Sequence, residues 1–153
     1  MPEKRTLERA RRDRREGKAP STQAGEFVRE EMHHIREGKH GARSTKQAIA
    51  IGLSKARRSG VPLRPQRKGQ TSEKARRSAA SAYRKGQRGG GRTSGKRSRA
   101  TLNALRREGR GVASHQALSR QTRLSAGRRG ARARWTAARR GAMTRSQRRR
   151  MGG

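Results

Sequence analysis

Two sets of residues in this sequence carry chemistry: a small Glu/His group and a long series of arginines. Glu30 and Glu31 precede His33 and His34, and Glu30 and His34 have the i,i+4 spacing of one helix face. A carboxylate and an imidazole so placed can hold a metal ion. No HExxH pattern or further ligand cluster follows, and His40 and His115 stand alone. The group therefore reads as a solvated helix face, with no metal expected. There is no nucleophile–base arrangement and no GxxxxGK[ST] phosphate loop; Gly89–Gly91 lacks both the lysine and the helix context. No enzymatic activity, cofactor or small-molecule substrate is expected.

The arginines point elsewhere. Pairs recur at Arg57-Arg58, Arg76-Arg77, Arg106-Arg107, Arg128-Arg129 and Arg139-Arg140, with Arg132 and Arg134 between the last two. A guanidinium is a planar fork that pairs with phosphate bidentately and stacks on bases. These twelve residues are the candidate nucleic-acid contacts. Alanines and glycines between them leave no bulk to hold the backbone away from a groove. Each neutralised phosphate releases condensed counterions, with a log–log salt slope near −0.9 per contact on duplex DNA. No zinc-finger, basic-zipper or RNP motif is present, so the expected binding is tolerant of sequence. Trp135, in Arg132-Ala133-Arg134-Trp135, is a stacking candidate, although a lone Trp more often anchors its own helix. The spacing of the pairs is irregular, so this is no solenoid. Compositional drift would produce a similar pattern.

Something must position these groups, and the stretch best able to fold is Gly25–Gly60. It holds the only Phe and all three Ile residues. Phe27, Val28, Met32 and Ile35 fall on one arc of a helix. Gly38 and Gly41 break the pattern. Ser44 and Gln47 then match a capping box, opening a helix from about Thr45 to Arg58. Ala48, Ile49, Gly52, Leu53 and Ala56 share its apolar face, and Gly60 and Pro62 end it. Phe27, Met32, Ile35, Ile49 and Leu53 form the hairpin face, through which a homodimer could assemble. Gly52 either lets the partner helix approach or is simply tolerated. Glu31 lies within the apolar arc, where a lone buried carboxylate is costly. It is expected at the rim, or paired with a base of the second helix.

Gly25–Gly60 also carries a resemblance. The run GEF followed by REGKHGARSTKQAIAIGLSKARRSG resembles the domain of a bacterial family catalogued only as one of unknown function, whose members are small and basic. Its most specific piece is Lys46–Arg57, KQAIAIGLSKAR. The family usually has Ala at the position of Gly52 and often Glu at that of Lys55. The similarity is looser over Ser98–Gln121. It implies a bacterial origin and a short helical domain, with no established activity.

Composition bounds the rest. Leu, Ile, Val and Phe total only 14 of 153 residues, and the net charge is +34. A weak apolar drive and strong self-repulsion predict a chain largely disordered when free. Residues 1–60 have net charge +8 and residues 61–153 have +26. With no Cys, there are no disulfides or thiolate metal sites, and a reducing cytoplasm is compatible. No apolar run reaches the ~20 residues of a membrane span, and the N-terminus lacks a signal-peptide h-region.

The expected architecture is mainly α: a short helical hairpin, then Ala/Arg-rich short helices joined by Gly-rich loops. Residues 1–24 form a mixed-charge arm: a polar helix over Glu3–Glu16 that frays in solvent, then a linker over Gly17–Ala24. Residues 25–60 are the hairpin and 61–71 an extended linker. Residues 72–153 are the binding tail, with helices over Ser72–Tyr83, Lys96–Arg107 and Ser114 to about Leu124. Gly86–Gly95 is a flexible joint, Gly127 and Gly130 interrupt, Gly141 stops the helix Ala131–Arg140, and Thr144–Arg150 is a last turn. The expected function is sequence-tolerant DNA binding of nucleoid or histone-like kind, in the cytoplasm. An RNA-binding or ribosome-associated role, and a protein-docking hairpin with a basic tail, are the alternatives.

Overall fold

The computed structural model describes residues 1–89 and 94–151, without the side chains of residues 148 and 151. The expected mainly α class holds: among the described residues every regular element is helical. No described helix is long and apolar enough to cross a membrane. The chain divides into two compact units, Met1–Ser114 and His115–Gly153. The division falls after Ser114, not at residue 60 or 71 as the composition suggests.

The first unit is built on two helices, α2 (Pro20–Arg36) and α3 (Thr45–Arg58). Pro20 occupies the start of α2, where its missing N–H is harmless and its fixed φ suits a helix. Helix α2 therefore begins five residues before Gly25, and the expected linker contributes Gln23 and Ala24 to the interior. Just past its C-terminal end, Gly38 has a φ of 77° that lets the chain reverse. Ser44 caps α3 by accepting from Gln47 N at 3.2 Å. The Gln47 side chain accepts from Arg43 N at 2.7 Å, one residue before the usual capping-box position. Phe27 and Ile35 are fully buried and Met32 nearly so.

The expected frayed arm is instead a packed helix, α1 (Lys4–Arg15), which buries Thr6, Ala10 and Asp13. Ala10 joins Ala24, Phe27, Ala56 and Val61 in one core cluster, with Leu7, Leu53 and Leu63 against it. Polar contacts hold α1 to α2. Arg9 Nε lies 2.8 Å from Glu26 Oε2, and His34 Nε2 lies 2.8 Å from Glu3 Oε1. Such cross-helix pairs are invisible to a reading of i,i+4 neighbours. Residues 61–71 are non-helical, as expected, but they are not a free linker. Val61 N donates to Ala56 O at 3.1 Å, turning Val61 into the core.

Helix α4 (Glu73–Gln87), capped by Ser72, packs Ala79 and Ala82 inward and belongs with the hairpin rather than with a tail. It runs through Gly86, so the expected joint begins later; residues 90–93 lie outside the described residues. Helix α5 (Gly95–Arg106) buries nothing. Its C-terminal end is nevertheless tied to the α2–α3 loop, with Gly41 N donating to Leu105 O at 2.9 Å. A 3₁₀ turn at Gly111–Ala113 closes the unit. Arg36 Nε donates to Ala113 O and Thr45 Oγ1 to Val112 O, both at 2.8 Å. With such a core, Met1–Ser114 is not the disordered chain its composition suggests.

The second unit contains α6 (His115–Arg128) and α7 (Gly130–Met151). The break falls at Gly130, with φ 73°. Gly127 and Gly141 lie inside helices, so the expected interruptions there are absent and α7 is one helix of 22 residues. A helix-interior Gly costs only about 1 kcal/mol relative to Ala, too little to force a break.

Gly52 decides how closely α2 and α3 pack. A Cβ placed there would lie 2.7 Å from Val28 Cα and 3.1 Å from Phe27 O, both immovable backbone atoms. The glycine is required for close approach. Overpacking typically costs about 1–3 kcal/mol, against a helix-propensity gain of about 1. Gly52→Ala is expected to lower the thermal midpoint of the full chain by several degrees. An unchanged or raised midpoint in a calorimetric scan would show that the interface has slack.

Candidate nucleic-acid interface

Acidic side chains sort the arginines into two populations. All ten acidic residues lie within Met1–Ser114. Several of them are taken up by local bases: Asp13 and Glu16 by Lys18 at 2.6 Å each, Glu26 by Arg9, and Glu37 by Lys39 at 2.9 Å. The Glu37 carboxyl is held below its usual range, chiefly by the Lys39 hydrogen bond.

Arg57 is not a phosphate contact. It is buried, with Nε donating to Leu63 O at 3.0 Å, and desolvation lowers its pKa. It clamps the segment after α3 onto the core. The sequence misleads here because the 57–58 pair straddles the helix surface: Arg58 is exposed. Arg76 is bidentate to Glu73, with Nε 3.0 Å from Oε2, and Arg77 Nε lies 3.5 Å from Oε1. Glu73 is held below the usual carboxylate range chiefly by Arg76, so this pair is already partly neutralised. Arg106 and Arg107 are exposed at the end of α5.

The second unit is different. His115–Gly153 contains twelve arginines, no lysine and no acidic residue. Arg128, Arg129, Arg132, Arg134, Arg139 and Arg140 are all exposed. So are Arg120, Arg123, Arg145, Arg149 and Arg150, which the sequence-based set of contacts leaves out. The better signal is the absence of any acid after Glu108. Two of the arginines fold back onto helix carbonyls: Arg129 Nε to Ser125 O and Arg134 Nη1 to Ala126 O, both at 3.3 Å. Trp135 is no packing anchor. It is 61% exposed, and Arg139 Cζ sits 5.4 Å from its ring centroid. That distance permits a cation–π contact and leaves much of the indole accessible.

The expected dimer face is occupied within the chain. Phe27, Met32 and Ile35 are buried, and Ile49 and Leu53 are half-buried, Leu53 against the core cluster. A dimer through these residues would require opening the helices that cover them. Glu31 is fully buried rather than at the rim. The alternative expectation, pairing with α3, is what occurs: Lys55 Nζ lies 2.6 Å from Oε2. His40 does not stand alone either, since its Nε2 is 3.4 Å from Glu31 Oε1. Glu31, His34 and His40 have potential ligand atoms within 4.8 Å of one another.

No family model, curated protein or solved structure matches this chain.

The two populations predict separable effects. Arg57→Ala is expected to cost about 1–3 kcal/mol of stability, the range for a buried group losing its hydrogen bond. It is expected to leave the salt dependence of polyanion binding unchanged. The double substitution Arg139→Ala/Arg140→Ala will do the reverse, flattening the salt slope by up to about 2. Denaturant titration and binding measured on both variants check this; a flattened slope in the Arg57 variant alone would contradict it.

Proposed function

We propose that this chain is a non-enzymatic, sequence-tolerant DNA-binding protein of nucleoid or histone-like kind, acting in a bacterial cytoplasm. The observation that carries the proposal is the surface of the unit His115–Gly153, which contains α6 and α7. It has twelve arginines and no acidic residue, and every arginine side chain described there is exposed. Such helices attract any phosphate backbone and have no element rigid enough to read bases. The accessible indole of Trp135 adds a surface that can stack on an unpaired base or wedge a base step.

The disorder expected of the free chain is proposed for this unit alone. Neither α6 nor the described part of α7 has a fully buried residue. Like charges at i,i+4, such as Arg145 and Arg149, oppose the helix. Phosphates between them remove that repulsion, so ordering and binding are coupled. Met1–Ser114, with its own core, remains folded and carries the tail.

Fluorescence anisotropy on a labelled duplex, with salt titrated, tests the proposal. Eight engaged arginines would give a log–log slope of roughly −7. Unrelated duplexes are expected to compete equally, and structured RNA to compete less well. RNA competing far better would move the function to RNA or ribosome binding. Weak binding to both at physiological salt would leave only a protein-docking role.

A further inference from the structure

The buried end of α2 contains an arrangement that its surroundings leave electrostatically incomplete. Glu31 and His34 are three residues apart on one face of α2, and His40 folds back from the following loop. Glu31 is fully buried, and neither carboxylate oxygen has an aligned hydrogen-bond donor. Lys55 Nζ is close to Oε2 at 2.6 Å, which leaves Oε1 facing the two histidines.

His40 makes the case sharper. Its Nδ1 lies 3.1 Å from Gly41 O, and a carbonyl can only accept, so Nδ1 carries the hydrogen. In a neutral ring the Nε2 lone pair then points at a carboxylate oxygen 3.4 Å away. Two electron-pair donors face each other in a buried site, and a cation between them resolves the conflict. The separation is also that of two ligands on one tetrahedral metal: bonds of about 2.0–2.2 Å put neighbouring donors roughly 3.3–3.6 Å apart. The Nδ1–H to carbonyl contact is the kind of outer-shell bond that fixes a ligating histidine.

We propose that Glu31, His34 and His40 form a binding site for a divalent transition metal of the zinc class. Mixed imidazole and carboxylate donors suit zinc better than magnesium or calcium. Glu31 supplies Oε1 and keeps Lys55 on Oε2. His34 supplies a ring nitrogen that lies within 4.8 Å of the other two donors. Glu3, whose Oε1 is 2.8 Å from His34 Nε2, holds that ring from outside. Three protein ligands leave one tetrahedral position for water. The metal would pin the α2–α3 loop to α2 and link it through Glu3 to α1.

The test is calorimetric titration of the untagged, chelator-treated full chain with zinc chloride, with magnesium and calcium chloride as comparison probes. One equivalent of zinc is expected to bind, with no comparable binding of the other two. His34→Ala and His40→Ala are each expected to weaken it at least tenfold, while His33→Ala and His115→Ala leave it unchanged. Cobalt(II) gives a second readout: intense visible bands of a tetrahedral site that vanish in the His40 variant. Circular dichroism of each variant without metal separates loss of ligand from loss of fold. Zinc binding of equal strength in the His34, His40 and His115 variants would overturn the proposal, as would no binding to the parent chain.

Discussion

The structure depends on how closely its helix backbones can approach. With only fourteen Leu, Ile, Val and Phe residues in 153, large side chains cannot fill the space between helices. Phe27 and Ile35 are fully buried and contribute about 1.5–3 kcal/mol each. Most of the remaining core is alanine: Ala10, Ala24, Ala42, Ala48, Ala56, Ala79, Ala82 and Ala113. Small side chains pack densely only if the backbones themselves come into contact, where many weak dispersion contacts add up. Gly52 permits this between α2 and α3, and Gly86 between α4 and the end of α3, where a Cβ would collide with the Arg57 carbonyl.

Charge is partitioned along the same lines. In Met1–Ser114 the acidic residues fasten elements to each other: Arg9–Glu26 and His34–Glu3 join α1 to α2, and Lys55–Glu31 joins α3 to α2. Exposed pairs of this kind contribute little each. The Glu31 pair is buried, and removing one partner would leave the other without compensation. His115–Gly153 has no such acids, and its arginines are left for an external anion. One sequence thus holds a unit whose acidic residues fasten its helices together and a unit with no acidic residue at all.

The hairpin was legible because period-3.6 spacing of Phe27, Met32 and Ile35, with Ser44 and Gln47 as start signals, survives even in a very basic chain. A Lys or Arg of α3 as a partner for Glu31 was legible as an alternative to the favoured rim position, but not that it would be Lys55. Helix α1 was legible as a polar helix but its packing was not, because Thr6 and Ala10 give no strong apolar signal and its polar contacts are to residues 26–34. The role of Arg57 was hidden by its resemblance to the other arginine pairs: one side of α3 faces the core while its neighbour faces solvent. Gly127 and Gly141 look like breaks but sit in helices, since only a positive φ, as at Gly130, requires glycine. His40 came together with Glu31 only through the Gly38 turn, which spacing along one helix cannot foresee.

The division between a self-sufficient unit and an anion-dependent one is tested most directly by hydrogen exchange on the full chain, with and without saturating duplex DNA. Amides of α2 and α3 are expected to be protected in both conditions, and those of α6 and α7 to gain protection only with DNA. Protection of α6 and α7 in the free chain, unchanged by DNA, would contradict the account, as would protection gained instead in α2 and α3.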